Sequence, residues 1–220
     1  MFRRIFVCTL ILAATLCLTA CGGGEKQTSN ADKAVLAYAE LATQGKSDNA
    51  AAAGIPDADK AEIATTIVNG FFAGIAEVAP LNEQSAQTVA AAFYDKFAKD
   101  MKFTATVKKD DAKAPVVELK TTPMDYNGVL QAASKVDEWI ALMGAVGQLK
   151  ADGVTVDQLK ANADVQKLAV DALTKIVNAA PMQGEKTFDV TCSKVKGSDG
   201  KEHWAPADLD AFTKFLTGQQ

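Results

Sequence analysis

FTATVKKDDAKAPVVELKT, residues 103–121, is the run in which the apolar spacing of this sequence changes from helical to alternating. Apolar and polar residues alternate at its start and again at its end, on either side of the polar, turn-like segment KDDAK. Such alternation predicts a β-hairpin with one buried face and one face in water. A second hairpin is predicted at 188–204, where FDVTC is followed by the turn GSDG and by EHW.

Helical spacing surrounds both hairpins. Before the first hairpin, helices are predicted at about 31–44, from Pro56 to before Pro80, and from Asn82 to about 101. Asn30 is a candidate cap for the first of these helices, and Gly45 is its candidate end. Asn82 is a candidate cap for the third helix.

Between the hairpins, helical spacing returns after Asp125. One apolar stripe is predicted there, made of Val129, Ala133, Val136, Ile140 and Met143. Thr155 and Gln158 fit a capping box for a short helix, and a further helix is predicted to end at Pro181. After the second hairpin, Pro206 is predicted to open a last helix, whose apolar stripe is Leu209, Phe212 and Leu216.

This order of elements predicts an α+β fold. We expect a four-stranded antiparallel sheet from two hairpins, packed with several helices, with a helical insert between the hairpins. The strand order does not follow from the pattern. A length of 220 residues suits one globular domain, predicted at 31–220, plus an export segment.

The N-terminus has the features of a secretory signal. Arg3 and Arg4 form a short basic region, and residues 5–20 carry no charge. That run is too short for a typical membrane-spanning helix, which needs about 20 apolar residues. Residues 1–20 are therefore predicted to be a signal peptide that is removed.

The end of the signal, Leu18-Thr19-Ala20-Cys21, resembles the lipobox of bacterial lipoproteins. The resemblance implies a diacylglycerol on the Cys21 thiol, cleavage before Cys21, and further acylation such as palmitate. Residues 21–30, CGGGEKQTSN, are predicted to be the lipidated cysteine and a flexible tether. The expected location is the extracytoplasmic face of the cell membrane, where two acyl chains give stable attachment.

Charge and residue types exclude several function classes. Without the two arginines of the signal, 21 lysines stand against 27 acidic residues, a net charge of −6. The mature chain then has no guanidinium group to bind phosphate, so we expect no nucleic-acid partner. There is no phosphate-binding glycine loop ending in Lys-Ser or Lys-Thr, and no Gly-x-Ser-x-Gly elbow.

His203 is the only histidine, and Cys192 is the only cysteine after the anchor. A two-histidine zinc site and an intramolecular disulfide are therefore impossible. A mixed site of His203, Cys192 and carboxylates is the remaining metal hypothesis. The simpler interpretation places Cys192 on a buried strand face and His203 at a strand end, with no metal and no cofactor. Gly70 and Gly74 are predicted to allow close helix packing inside the core.

The lipobox, the glycine-rich tether, the Thr/Lys-rich hairpin, FDVTC at 188–192 and DGKEHW at 199–204 together resemble a group of bacterial lipoproteins. Members carry one domain of unknown function and are commonest in Firmicutes. The chain is also loosely similar to cystatin-like and nuclear-transport-factor-like α+β folds, in which a bent sheet wraps a helix. The resemblance implies an envelope lipoprotein and assigns no catalytic residues. The helical insert, about 125–181, departs from the plain form of those folds.

Three functions remain open from the sequence. The favoured hypothesis is a non-enzymatic, membrane-anchored module that binds a small apolar ligand, a peptide or an envelope protein. The alternative is a small pocket enzyme that uses acid–base chemistry of the residue types Asp and Tyr, with candidates Asp125, Asp189, Tyr38 and Tyr94. The third is a solute-binding lipoprotein of a transporter, although such proteins usually have two lobes.

Overall fold

The computed structural model describes residues 30–76 and 78–219. Within them the elements follow the predicted order of helices, hairpin, helices, hairpin and helix. They are α1 (Ala31–Gln44), α2 (Asp57–Ile75), α3 (Glu83–Asp100), β1 (Thr104–Lys109), β2 (Val116–Thr121), α4 (Tyr126–Ala133), α5 (Asp137–Ala151), α6 (Val156–Ala161), α7 (Ala163–Asn178), β3 (Lys186–Lys196), β4 (Glu202–Pro206) and α8 (Leu209–Thr217).

The four strands form one open antiparallel sheet in the order β1-β2-β3-β4. Val117 lies opposite Val190 and Leu119 lies opposite Phe188, so the buried faces of the two hairpins coincide. Strand β3 is long because it changes partner along its length. Its residues 186–191 pair with β2, and its residues 192–196 pair with β4. The predicted α+β class is confirmed.

Helix α1 lies against the sheet and contacts β1, β2 and β4. Its buried residues are mostly alanine, with Val35, Tyr38 and Leu41 among them. Short side chains let a helix approach the strands closely, and this explains why α1 is buried on nearly every side. Gly45 ends α1 in the left-handed conformation, with φ at 71°, as the sequence predicted.

The remaining helices build a second layer around α1. Helix α3 packs on α1 and α7, and α7 packs on α5. Phe93, Phe97, Leu173, Ile176 and Val177 are among the residues that these helices bury. The predicted cap Asn82 and the capping box of Thr155 and Gln158 are confirmed, since both side chains accept the expected backbone N–H groups.

Several predicted details are wrong. The Asn30 side chain does not cap α1; it donates to the Ala52 carbonyl instead. Pro206 ends β4 rather than opening α8, whose cap is Asp208. Gly70 and Gly74 are exposed, and an added Cβ would meet nothing within 4 Å, so they do not serve close packing in the core.

The apolar stripe predicted after Asp125 is also corrected. It falls on two helices, α4 and α5, which are separated at residues 134–136. Ile140 is 56% exposed and Met143 is 42% exposed, so neither belongs to the core. The buried residues of α5 are instead Leu142 and Val146, on the opposite side of the helix.

The predictions for the N-terminus lie outside the described residues. They are the signal peptide at 1–20, the lipobox residues Leu18, Thr19 and Ala20, the lipidated Cys21, and the tether up to residue 29. In the part of the chain that is described, no helix is both long enough and apolar enough to cross a membrane.

Candidate functional site

The four residues proposed for acid–base chemistry occupy separate places. Asp125 caps α4 by accepting the Gly128 N–H. Asp189 projects from β3 into solvent and pairs with Lys108 at 3.0 Å. Tyr94 donates to the Ala64 carbonyl at 2.8 Å and joins α3 to α2. Each of these three side chains has a structural partner, and no described hydrogen bond joins an Asp–Tyr pair from the set.

Tyr38, the fourth, forms a buried polar pair with His203. The Tyr38 Oη lies 3.3 Å from His203 Nε2, and the two rings are stacked with an interplanar angle of 28°. Tyr38 is 7% exposed and His203 is 6% exposed. His203 Nδ1 has no hydrogen-bond partner. The sequence predicted His203 at a strand end, and it is the second residue of β4. Its burial in the core was not predicted.

Burial governs the protonation of this pair. It raises the pKa of Tyr38 to about 12, with the carboxylates of Asp59 and Glu62 adding to the effect. It lowers the pKa of His203, although Asp59 and Asp199 act in the opposite direction. Both groups are therefore neutral near pH 7, and neither has access to a dissolved substrate. The pair is suited to holding β4 on α1.

The turn of the second hairpin is fixed from α2. The Ser198 N–H donates to the Asp59 carboxylate at 3.0 Å, and an added Cβ on Gly197 would lie 2.8 Å from Pro56. Hydrogen bonds from the Ser198 side chain and backbone lower the pKa of Asp59. The closeness of Pro56 explains why the turn has a glycine at position 197. The hydrogen bond from Ser198 gives the Asp59 carboxylate a structural role.

Cys192 is buried in β3, as the sequence predicted, and its burial raises the pKa of the thiol to about 12. Between residues 30 and 219, Glu77 aside, no group of three or more His, Cys, Asp or Glu side chains is arranged to hold a metal ion. The mixed site of His203, Cys192 and carboxylates therefore finds no support in the described region.

Two of the cavities among the described residues are lined by core side chains. One, between Phe93, Phe97 and Ile176, offers about 10 Å³ to the centre of a water molecule. The other, beside Thr43 and Thr217, offers essentially none. One water needs roughly 10–15 Å³ by this measure, and small-molecule sites are clefts of about 300–1,000 Å³. Neither cavity can hold a small apolar ligand.

The solvent face of the sheet is polar. Thr106, Glu118 and Asp189 form one row across three strands, and Lys108 bridges Glu118 and Asp189. The edge strand β1 is interrupted by a bulge between Val107 and Lys109. Bulges and lysines on an edge strand discourage pairing with another chain. This side of the molecule is therefore protected against strand addition.

The outer face of α5 is different in character. We use this name for Ile140, Met143, Gly144 and Gly147, which recur at helical spacing and are all exposed. From Trp139 to Leu149 the helix carries no charged side chain. Because Leu142 and Val146 fill the inner face, α5 is apolar on both sides. A helix that is apolar all round is normally buried on all sides.

The two glycines of this face have no role in the packing of their own chain. An added Cβ on Gly144 or Gly147 would meet nothing within 4 Å. A glycine inside a helix costs about 0.5–1 kcal/mol relative to alanine. Gly144 and Gly147 therefore lower the stability of α5, and no contact of an added Cβ within the chain explains their presence.

Opposite charges stand at the two ends of the face. Asp137 lies in the first turn of α5 and Lys150 lies in the last turn, and both are exposed. Ile140 and Met143 were predicted on a single apolar stripe. The sequence signal for their exposure is the second apolar stripe on the same helix, since a surface helix normally shows one.

Comparisons with known proteins concern the fold. No protein-family model matches the sequence. No curated protein matches it. The crystal structure of a candidate lipoprotein, ycdA, from Bacillus subtilis superposes with a TM-score of 0.54 at 18% sequence identity, over 86% of this chain and 54% of that chain. The chain thus spans about half of the length of that protein, and at this identity the likeness shows a shared α+β fold.

Proposed function

We propose that the chain is a lipid-anchored, non-enzymatic protein of the bacterial cell envelope that binds a helix of a protein partner on the outer face of α5. Two observations support the anchor. The residues Leu18-Thr19-Ala20-Cys21 match a lipobox, and the fold is similar to that of ycdA, which is itself described as a candidate lipoprotein. The resemblance to the lipoproteins of unknown function agrees with both.

The exposed apolar helix face carries the proposal of protein binding. Ile140 and Met143 are two of the five large apolar residues that are well exposed in the described region, and they are one turn apart on one helix. Beside them, Gly144 and Gly147 leave the backbone open to close approach. An amphipathic helix laid along this face would bury the two side chains and use the space above the glycines.

The other kinds of activity have weaker support. A small apolar ligand needs a cavity much larger than the volume of about 10 Å³ found between Phe93, Phe97 and Ile176. An acid–base enzyme needs its acid and base beside a shared cleft. Here Asp189 faces solvent, and Tyr38 is buried against His203. Binding of a protein on the surface requires neither a large cavity nor an acid and a base beside a shared cleft.

Replacement of Cys21 by alanine tests the anchor. We expect Cys21→Ala to remain uncut and without lipid, so that its intact mass keeps residues 1–20 and loses the acyl chains. Cys192→Ala is the matched control, because it removes a cysteine that is buried in the domain. It should leave processing and membrane retention unchanged. Normal mature mass and full membrane retention of Cys21→Ala would refute lipid attachment at this residue.

Photo-crosslinking in intact cells tests the docking face. A photoreactive amino acid at Met143 should give a discrete adduct, whereas the same amino acid at Leu209, a residue of similar exposure on α8, should not. Mass spectrometry of the adduct then identifies the partner. Absence of any adduct at Met143, or equal adducts at both positions, would show that the outer face of α5 is not a docking face.

A further inference from the structure

We infer that His203 is an acid-sensitive switch, in which uptake of a proton by the imidazole releases the tip of the second hairpin from α1 and α2. We use the name hairpin tip for residues 195–203. The switch is separate from the outer face of α5. Its parts are the attachment of the hairpin tip, the shallow burial of the tip, and the buried imidazole.

The hairpin tip lies beyond the part of the sheet that β2 supports. Strand β3 pairs with β2 along residues 186–191, and from residue 192 onward it pairs with β4. Among the described residues, two hydrogen bonds join the tip to the helices. His203 Nε2 lies 3.3 Å from the Tyr38 Oη on α1, and the Ser198 N–H donates to the Asp59 carboxylate on α2 at 3.0 Å. The tip can therefore move as a unit when these two contacts are lost.

Little apolar surface holds the hairpin tip in place. His203 is buried, whereas Val195 and Gly197 are half-buried and the other six residues of the tip are exposed. Trp204 and Ala205, which follow the tip, are buried and keep the base of the hairpin in the core. Hydrophobic stabilisation grows with the apolar area removed from water, so release of the tip costs much less than unfolding of the sheet.

The imidazole is placed so that a second proton has no acceptor. A neutral ring has one N–H donor and one acceptor nitrogen, and the Tyr38 hydroxyl is the partner of Nε2. Nδ1 is buried without a hydrogen-bond partner. Protonation makes both nitrogens donors and adds a charge, which is costly to bury without a partner. Because the released tip exposes Nδ1 to water, it takes up the proton more readily than the closed tip, and acid favours release.

Two carboxylates face the imidazole, Asp59 of α2 and Asp199 of the turn. Burial lowers the pKa of His203, and these two carboxylates oppose this effect without overcoming it. Hydrogen bonds from Ser198 lower the pKa of Asp59, so this carboxylate stays ionised in weak acid. Loss of the contact between Ser198 and Asp59 in weak acid therefore cannot come from protonation of Asp59 itself.

Tyr38 of α1 and the segment 50–55 complete the surroundings of the imidazole. Burial and the carboxylates of α2, Glu62 among them, raise the pKa of Tyr38 to about 12, so its hydroxyl stays protonated. An added Cβ on the glycine of the segment 50–55 would lie 3.8 Å from the His203 Cβ, and this segment carries no charge. Val195 is the residue opposite on β3. At the proposed extracytoplasmic location, the switch would respond to the pH outside the cell.

NMR of the full chain in detergent micelles tests the switch between about pH 8 and about pH 5. The exchange rate of the Ser198 amide proton is corrected for the intrinsic rate at each pH. It should rise by about three- to tenfold for each pH unit below the ordinary histidine pKa of about 6.5, because release takes up one proton. It should also stay at least about tenfold above the corrected rates of the slowest amides of β2, because the opening is local.

His203→Gln is the matched control, since its side-chain amide can form a hydrogen bond with the Tyr38 hydroxyl but takes up no proton. The corrected exchange rate of Ser198 in this variant should not depend on pH. The same pH dependence in the variant, or none in the unchanged chain, would overturn the switch. Exchange of Ser198 no faster than that of the slowest amides of β2 would show that the tip opens only with the whole sheet, and this would overturn it too.

Gly197→Ala tests the switch without a change at His203. An added Cβ would lie 2.8 Å from Pro56, so the methyl group should push the hairpin tip away from α2 without adding a charge. If release and protonation are coupled, each favours the other. The pKa of His203, read from the ring signals of the only histidine, should then rise toward about 6.5. Gly184→Ala, at a glycine with open space around it, should leave this pKa unchanged. An unchanged or lowered pKa in Gly197→Ala would overturn the switch.

Discussion

The Tyr38 Oη and His203 Nε2 atoms lie 3.3 Å apart, although 165 residues separate them in the chain. The contact joins α1, the helix that lies against the sheet, to β4, an edge strand. Both side chains are almost fully buried. A polar pair at this place fixes the position of the second hairpin on the helix, since each group would be left without a partner in any shifted arrangement.

Removal of the tyrosine hydroxyl should therefore destabilise the fold. Tyr38→Phe keeps the ring and leaves His203 without a partner on either nitrogen, because Nδ1 already has none. An orphaned buried polar group costs about 1–3 kcal/mol of unfolding free energy. Urea denaturation measures the loss. Tyr126→Phe, at a half-buried residue of α4, is the matched control, and equal stability of Tyr38→Phe and the unchanged chain would contradict the structural role of the pair.

The stability should also depend on pH through His203. Burial lowers the pKa of His203 in the folded chain, so the unfolded chain binds more protons once the pH falls to the ordinary histidine pKa, about 6.5. The free energy of unfolding should then fall between about pH 7.5 and about pH 5.5. His203→Gln should show a flatter dependence over this interval, because His203 is the only histidine. Identical slopes would contradict this assignment.

Much of the fold follows from the sequence because its signals are local. Alternation located both hairpins, and caps such as Asn82, Thr155 and Gly45 located helix ends. The strand order depends on contacts between distant segments, and no local pattern reveals that β3 pairs with β2 along one half and with β4 along the other. Asn30 illustrates the same limit, since its side chain donates a hydrogen bond to the carbonyl of Ala52, which lies 22 residues away and outside the helix that Asn30 precedes.

The candidate site was harder to predict than the fold. His203 is buried against Tyr38 of α1, which lies 165 residues earlier in the chain. The local sequence around a single histidine in a short strand therefore did not indicate that His203 is buried. The exposure of the outer face of α5 could not be predicted from the composition of the helix. Ile140 and Met143 have the spacing of core residues, and only the burial of Leu142 and Val146 shows that the core is already filled from the other side.

Gly218, which ends α8, should tolerate no side chain. Its φ is 67°, and an added Cβ would lie 2.0 Å from the Met124 carbonyl oxygen. Gly218→Ala is therefore expected to lower the free energy of unfolding by about 3 kcal/mol or more, combining backbone strain with a steric clash. Gly153→Ala is the matched control, because Gly153 has φ at 84° and open space around it. Its cost should be limited to strain, about 1–2 kcal/mol. Equal losses of unfolding free energy in Gly218→Ala and Gly153→Ala would show that the structure relieves the clash with the Met124 carbonyl.

The thiol of Cys192 should be inert in the folded chain. It is 1% exposed, and burial raises its pKa to about 12, so the reactive thiolate is scarce near neutral pH. A thiol reagent should label Cys192 only at the rate at which the chain unfolds, and completely in denaturant. Labelling of the native chain at the rate of a free thiol would contradict this placement. Cys192→Ala should remain folded, because a buried free cysteine acts as a small apolar residue.

We expect α8 to close one side of the core. Among the residues of α8, Phe215 should contribute most to the stability of the fold. Its ring stacks on that of Phe188, with the centroids 5.0 Å apart, and Phe215 is 1% exposed. Strand β3 is thereby joined to the C-terminal helix by an aromatic contact. Phe215→Ala should lower the free energy of unfolding by about 3–5 kcal/mol, because it removes buried surface and leaves a cavity.

Leu209→Ala tests whether that loss comes from packing or from helix propensity. Leu209 lies on the same helix and is 49% exposed, so its replacement should change the free energy by no more than about 0.5 kcal/mol. Phe188→Ala should fall between the two, since Phe188 is only half-buried. In a double-mutant cycle, Phe188 and Phe215 should couple by about 0.5–1.5 kcal/mol beyond additivity, as expected for a stacked aromatic pair. Strict additivity, or a small loss for Phe215→Ala, would mean that α8 is held by contacts other than this one.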